Sequence, residues 1–208
     1  MDYSLYLVTD AGLSRGRTHR EIVQAAIRGG VTVVQYREKN TTTRQMIEEA
    51  LELRELCRAR GVPFIVNDRV DVALAVDADG VHVGQDDMPA LLARKLIGRD
   101  KILGVSVENV AQVRAAVADG ADYIGASPIF ATPTKPDAPP PMGIQGLREI
   151  TRVCAIPVVA IGGLNATNAA SMMRAGAAGI AVVSAIVSGD DVERAARELK
   201  HVVESSRK

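Results

Sequence analysis

The sequence predicts an α/β fold, a single (βα)8 TIM barrel in which a parallel eight-stranded barrel is surrounded by helices. Eight times along the chain, a short apolar, β-branched run is followed by a longer stretch with helical periodicity, the pattern of repeated βα units. The 208 residues divide into eight units of 26, which leaves little room for insertions. An open doubly wound sheet of this size usually has fewer strands, so the barrel is favoured. We therefore expect one domain over residues 1–208.

The strands are expected at the apolar runs Leu5–Asp10, Thr32–Glu38, Phe64–Asp68, Gly80–Gly84, Ile102–Val107, Tyr123–Ser127, Val158–Gly163 and Gly179–Ser184. Helices are expected between them and after the last, and four glycines stand where helices should stop: Gly30, Gly61, Gly120 and Gly176. The segment Ala131–Gly143 contains five prolines, which predicts a loop after the sixth strand.

The composition excludes several classes of protein and partner. Hydrophobic residues make up 47% of the chain and charged residues 24%, as in ordinary soluble globular proteins. Lys plus Arg and Asp plus Glu number 25 each, so no bulk charge attracts nucleic acid or an anionic membrane. No apolar stretch is long enough for a membrane helix, and the first residues lack a signal peptide's basic region. We expect a cytoplasmic protein whose Cys57 and Cys154 are buried thiols.

Polar residues that could carry chemistry collect at the predicted carboxyl ends of the strands, where barrel enzymes place their active sites. After the second strand, alternation sends Gln35, Arg37 and Lys39 to one side together, a combination suited to a multiply charged anion. A solvated strand end, or ion pairs with Glu38, is the alternative.

Two further strand ends bring carboxylates to the same rim. Asp68 with Asp87 or Asp86 would form a partial Mg²⁺ site, because Mg²⁺ typically takes one or two protein carboxylates plus phosphate oxygens and water. The alternative is helix N-capping, since each carboxylate precedes an expected helix start.

The last four units supply candidate phosphate ligands. Ser106 either donates to a phosphate oxygen or caps the next helix, and Thr132–Lys135 either binds phosphate or is merely exposed. Gly162 and Gly163, with Ser184 after the eighth strand, match the phosphate cradle that many barrels build there from backbone N–H groups, although a tight turn also explains the glycines. The three histidines are expected to be structural or exposed.

Taken in order, these segments resemble the thiamine phosphate synthase (thiamine-phosphate pyrophosphorylase) family over essentially the full chain. The motifs that carry the resemblance are QYREK at 35–39, NDR at 67–69, DGVHVGQDD at 79–87, GVS at 104–106, TPTK at 132–135, IGG at 161–163 and VS at 183–184. The resemblance implies a transferase of thiamine biosynthesis that joins a pyrimidine pyrophosphate to a thiazole phosphate with Mg²⁺ and releases pyrophosphate.

The resemblance also implies the roles of individual residues. Those bound to the pyrimidine pyrophosphate are Gln35, Tyr36, Arg37, Glu38, Lys39, Asn67, Ser106 and Lys135, of which Arg37, Lys39, Ser106 and Lys135 are catalytic. Those bound to the thiazole phosphate are Thr132, Pro133, Thr134, Gly163, Val183 and Ser184. Those that bind Mg²⁺ are Asp68 and Asp87.

Two positions depart from the pattern of many relatives, which have His where this chain has Glu108 and Gly-Pro where it has Ser127-Pro128. The alternatives are a thiazole tautomerase of the same fold, expected to use that His and to lack the paired carboxylates, and a non-catalytic binder of phosphate ligands. A phosphosugar isomerase or lyase would need a positioned general base or a Schiff-base Lys inside the barrel, and no predicted strand offers an interior Lys. The expected partners are small-molecule substrates, and a homo-oligomer is left open.

Overall fold

A computed structural model of the chain describes residues 1–132 and 139–207. Its eight strands are β1 (Leu5–Val8), β2 (Val33–Tyr36), β3 (Phe64–Asn67), β4 (Gly80–Val83), β5 (Ile102–Val107), β6 (Tyr123–Ala126), β7 (Val158–Ile161) and β8 (Gly179–Val182). Each strand pairs in parallel with the next, and β8 pairs with β1, which closes the barrel. The predicted fold class is confirmed.

Helices follow every strand on the outside of the barrel. In the described residues they are α1 (His19–Arg28), α2 (Thr43–Arg58), α3 (Val70–Ala75), α4 (Ala90–Ile97), α5 (Val110–Ala118), α6 (Gly143–Val153), α7 (Ala169–Arg174), α8 (Ser184–Val187) and α9 (Val192–Ser205), with a 3-10 turn at Ala11–Leu13. The glycines predicted to end helices all have positive φ, from 65° to 99°. None of these helices is long and apolar enough to cross a membrane.

Seven of the eight strands are shorter than the apolar runs suggested, mainly at their carboxyl ends, whereas β5 has the predicted bounds. The ladder on β2 ends at Tyr36 instead of Glu38, and the ladder on β7 ends at Ile161 instead of Gly163. Asp68 and Gly162 have φ of 62° and 105°, outside the range of a β ladder, so the chain leaves the barrel there. Arg37, Lys39 and Asp68 therefore sit on loops above the rim, whereas Gln35, Asn67 and Ser106 belong to strands β2, β3 and β5.

Alternation along the strands divides the core into two parts. The larger apolar cluster lies between the strands and the helices, and it includes buried Leu7, Phe64 and Cys57. A smaller cluster fills the barrel interior and contains Tyr6 and Tyr123. Cys57 and Cys154 are free thiols; Cys57 is buried as expected, whereas Cys154 is only partly buried, which corrects the expectation for it.

Candidate active site

A cavity of about 580 Å³ opens at the carboxyl ends of the strands. All eight βα units contribute to its walls, which is the arrangement of barrel enzymes in general. The expected site residues that line it are Gln35, Arg37, Lys39, Asn67, Asp68, Asp87, Ser106, Thr132, Gly163, Val183 and Ser184. Pro133, Thr134 and Lys135 lie outside the described residues.

The two cations after β2 are each held by a carboxylate. Arg37 Nη1 donates to Asp10 Oδ2 at 2.5 Å, and Lys39 Nζ donates to Asp68 Oδ2 at 2.5 Å. The Arg37 backbone N–H also donates to Thr9 Oγ1 at 3.0 Å. Both cations therefore face the cavity in fixed positions, with partners that an anionic ligand would have to replace.

Asp10 is a residue of this site that sequence reasoning did not single out. It follows β1, and β1 and β2 pair in a register that places Val8 beside Gln35. Extending that register by two residues brings Asp10 next to Arg37. An acidic residue at the end of the first strand was the available signal, but the register needed to interpret it comes only from the structure.

Tyr36 and Glu38 do not line the cavity, which corrects the expectation that they contact substrate. Tyr36 is buried between β2 and the helices, where its hydroxyl donates to Glu49 Oε2 at 2.7 Å and its ring meets His19 edge-on. Side chains that alternate along an extended segment point to opposite faces, so the neighbours of Gln35, Arg37 and Lys39 point away from them.

Glu38 instead stabilises the backbone of the loop that carries Lys39. Its Oε1 accepts the N–H groups of Lys39 and Asn40, both at 2.7 Å, and its Oε2 lies 3.2 Å from His19 Nε2. Burial acts to raise the pKa of Glu38, but the hydrogen bonds from Asn40, His19 and Lys39 outweigh it and lower the pKa. Glu38 is thus an ionised loop anchor.

Asp68 and Asp87 form an acidic pair beside Lys39, whose Nζ contacts Asp68. Burial, and then the adjoining Asp68 carboxyl group, raise the pKa of Asp87, which shows that the two carboxyl groups are neighbours in a partly desolvated place. Asp87 Oδ2 accepts the Gly84 N–H at 2.8 Å, which leaves the outer face of its carboxyl group toward the cavity.

The helix-capping alternative for these residues is wrong. The residues at the N-terminal caps of α3 and α4 are Arg69 and Pro89, and neither helix has a side-chain cap. The same holds for Ser106, because α5 is capped by Asn109. The side chains of Asp68, Asp87 and Ser106 are therefore available to the cavity.

The Ser106 hydroxyl is hydrogen-bonded to His82 on the floor of the cavity. Its Oγ lies 2.9 Å from His82 Nε2, and His82 Nδ1 lies 2.8 Å from the Tyr123 hydroxyl. Burial lowers the pKa of His82 to about 4, so the ring is neutral at physiological pH. His82 has the structural role expected of it, on the floor of the cavity.

Gly162 and Gly163 pack against the loop that follows β6. A Cβ on Gly162 would lie 2.8 Å from Pro128 Cα, and one on Gly163 would lie 2.7 Å from the carbonyl oxygen of Ala131. The Phe130 N–H donates to the Gly162 carbonyl at 3.1 Å. The two glycines therefore allow the loops after β6 and β7 to pack closely together. Gly163 also lines the cavity beside Val183 and Ser184. The segment is thus both a tight turn and part of the cavity wall.

Acidic groups outnumber basic ones on the described walls of the cavity. Four carboxyl groups line it, those of Asp68, Asp86, Asp87 and Glu108, against two basic groups, those of Arg37 and Lys39. A ligand with several phosphate charges would meet an excess of negative charge there. The walls therefore suit a phosphate ligand that arrives with, or meets, a further cation.

Comparisons with known proteins agree in one family. A family model described as thiamine monophosphate synthase matches residues 5–186. The thiamine-phosphate synthase of Chloroflexus aurantiacus is 68% identical over 203 residues, which is 98% of this chain and 94% of that relative. The thiamine-phosphate synthase of Methanocella arvoryzae is 51% identical over 207 residues, 100% of this chain and 98% of that relative. A solved thiamine phosphate pyrophosphorylase from Pyrococcus furiosus superposes with a TM-score of 0.92 at 44% identity, covering 99% of this chain and 97% of that one.

Proposed function

The chain belongs to the thiamine monophosphate synthase family, and from this premise we propose how its own residues carry out the family's reaction. It is a transferase that condenses 4-amino-2-methyl-5-hydroxymethylpyrimidine pyrophosphate with 4-methyl-5-(2-phosphoethyl)thiazole and yields thiamine phosphate and pyrophosphate. The observation that carries the residue assignment is the convergence of two cations, an acidic pair and a glycine wall on one cavity of about 580 Å³.

The pyrophosphate of the pyrimidine substrate is bound by Arg37 and Lys39. Both are already directed into the cavity by carboxylate partners, and the incoming phosphate oxygens replace Asp10 on Arg37 and Asp68 on Lys39. An Arg fork and a Lys point charge suit such a group. Gln35, Asn67 and Ser106 contact the same substrate, and Lys135 is proposed to join them from the loop after β6.

Asp68 and Asp87 are proposed to hold Mg²⁺. Their carboxyl groups fit the ion because they adjoin each other and face the cavity, where the neighbouring Asp68 raises the pKa of Asp87. Among the described residues, no set of three His, Cys, Asp or Glu groups could hold a metal ion, and Mg²⁺ accepts such a partial site because water and phosphate oxygens complete it. When bound, Mg²⁺ supplies positive charge beside the leaving pyrophosphate.

The thiazole phosphate is proposed to lie against Gly163, Val183 and Ser184, and Thr132, Pro133 and Thr134 are proposed to contact it as well. Because Gly163 carries no Cβ, the phosphate can approach its backbone closely. This position is on the wall of the cavity formed after β7 and β8, whereas the acidic pair follows β3 and β4. The two substrates therefore meet across the barrel mouth.

Pyrophosphate is proposed to depart first, leaving a pyrimidine methylene cation that the thiazole nitrogen attacks. Arg37 and Lys39 stabilise the negative charge that develops on the leaving group, and the walls hold the two substrates in line. Exclusion of water protects the cation. No protein nucleophile takes part in the proposed step, and the Cys57 thiol is buried.

Neither alternative function is favoured by a specific observation. Glu108 lines the cavity at the position where the tautomerase is expected to have His, and the paired carboxyl groups that it is expected to lack are present. A protein that only binds a phosphate ligand does not require both a carboxylate pair for a metal ion and a separate group of cations. The cytoplasmic location and the oligomeric state stay predictions.

The test is an assay of the purified chain with both substrates, in Mg²⁺ or in EDTA, in which thiamine phosphate and pyrophosphate are measured together. Equal amounts of the two products, formed only with Mg²⁺, are the expected result. Equal rates in EDTA would contradict the metal assignment. Absence of product from a sample that is folded by circular dichroism would contradict the activity itself.

A further inference from the structure

We propose that a directional chain of hydrogen bonds through the barrel interior fixes the Ser106 hydroxyl as a donor toward the pyrimidine substrate. The inference rests on the proposed contact between Ser106 and that substrate. It assigns a positioning role to buried residues that do not themselves react, chiefly Tyr123 and His82.

The chain joins side chains from five strands. Gln35 Nε2 donates to the Tyr6 hydroxyl at 2.8 Å, and the Tyr6 and Tyr123 hydroxyls lie 2.7 Å apart. The Tyr123 hydroxyl lies 2.8 Å from His82 Nδ1, and His82 Nε2 lies 2.9 Å from Ser106 Oγ. Tyr6 and Tyr123 are each 1% exposed and border the floor of the cavity.

The direction of the chain is set at Gln35. An amide nitrogen only donates, so the Tyr6 oxygen accepts from Gln35 and the Tyr6 proton goes to the Tyr123 oxygen. The Tyr123 proton then goes to His82 Nδ1, which has to be the unprotonated ring nitrogen. In the opposite direction the Tyr6 oxygen would accept two hydrogen bonds, and its own proton would have to point into the cavity that Tyr6 lines.

The last step places the ring proton next to Ser106. Because His82 is neutral, its single N–H is on Nε2 and donates to Ser106 Oγ. The Ser106 proton is then not needed inside the barrel, and Oγ has no other side-chain partner in the described part of the chain. Since Ser106 lines the cavity, its O–H is free to donate to a phosphate oxygen or ring nitrogen of the substrate.

The direction is measured as the tautomer of His82. The chain contains three histidines, so protein labelled with ¹⁵N-histidine gives a short spectrum in which His82 is assigned by its loss in His82→Gln. We expect Nε2 protonated and Nδ1 unprotonated in the unliganded protein. Protonation on Nδ1 would overturn the proposal, because Ser106 would then have to donate to His82.

A matched pair of variants connects the tautomer to activity. Tyr123→Phe removes the proton directed at Nδ1, and we expect a mixture of His82 tautomers and a fall of about tenfold in kcat/KM for the pyrimidine substrate. Tyr3→Phe removes a hydroxyl outside the chain from a ring only 4.9 Å from that of Tyr123, and we expect it to change neither quantity. Equal effects of the two variants, or an unchanged tautomer in Tyr123→Phe, would overturn the proposal.

A double-mutant cycle separates this inference from the proposed function. If Tyr123 acts through Ser106, Tyr123→Phe causes no further loss of kcat/KM in a Ser106→Ala background. Full additivity of the two losses would overturn the inference while leaving the activity in place. Lack of thiamine phosphate formation by the unmodified chain would instead contradict the proposed function, and the tautomer measurement would still stand on its own.

Discussion

Acid should destabilise this protein through His82. Burial lowers the pKa of His82 to about 4 from its usual value of 6.5, although Asp87 acts in the opposite direction. The unfolded chain therefore binds a proton at His82 as the pH falls below about 6.5, whereas the folded chain does not until about pH 4. The stabilisation from keeping His82 neutral is complete above pH 6.5 and is lost as the pH falls toward 4.

The size of the effect follows from the two pKa values. Their separation of about 2.5 units corresponds to about 3 kcal/mol of unfolding free energy over the whole range, at about 1.4 kcal/mol per unit. Between pH 7.5 and pH 4.5, most of that range is crossed, so we expect a loss of about 2.5 kcal/mol from this group. Few single groups in a protein contribute as much.

The assay is urea unfolding at both pH values for the unmodified chain and for His82→Gln. Gln keeps a donor and an acceptor for Tyr123 and Ser106 but does not titrate, so carboxyl groups common to both proteins cancel in the comparison. We expect the unmodified chain to lose about 2.5 kcal/mol more than the variant. An equal loss in the two proteins would refute the argument that His82 is held neutral by burial.

Three further outcomes are expected. Asp68→Asn and Asp87→Asn should each lower kcat by about 100-fold or more and weaken Mg²⁺ binding in the presence of pyrophosphate, measured by calorimetry, whereas Asp71→Asn, in an exposed pair with Arg69, should do neither. Wild-type Mg²⁺ binding in either site variant would contradict the metal assignment. Gly162→Ala should lower the free energy of unfolding by about 2 kcal/mol or more, because φ is 105° and a Cβ meets the loop after β6; an unchanged urea midpoint would count against that packing. Glu38→Ala should raise KM for the pyrimidine substrate by about tenfold with little change in KM for the thiazole, because it frees the loop that carries Lys39; equal changes in both would argue against a local anchor.

The fold and the rim could be predicted from sequence because their signals are local. Apolar runs, helix-ending glycines and polar residues at strand ends each occupy a few consecutive positions, and eight repetitions leave little ambiguity. Alternation alone grouped Gln35, Arg37 and Lys39, and the structure places all three in the cavity. The same alternation explains why Tyr36 and Glu38 point away from the cavity. The continuous motif at residues 35–39 therefore presents its side chains on two opposite faces.

The remaining features depend on contacts between distant parts of the chain. Asp10 joins the site through the register of β1 with β2, and His82 joins Tyr123 and Ser106, 41 and 24 residues away. No pattern among neighbouring residues in the sequence predicts such pairings. The proposals for Pro133, Thr134 and Lys135 depend on the resemblance and on sequence alone, because these residues lie outside the described part of the chain.

Barrel closure also limits how this protein associates with other molecules. Each of the eight strands is paired on both sides, so the described sheet presents no row of free N–H and C=O groups to another chain. Strand addition, the route by which open sheets recruit peptides or grow into fibrils, has no starting point here. Any contact between copies of the chain through the described residues therefore has to be made by the helices and loops that surround the barrel.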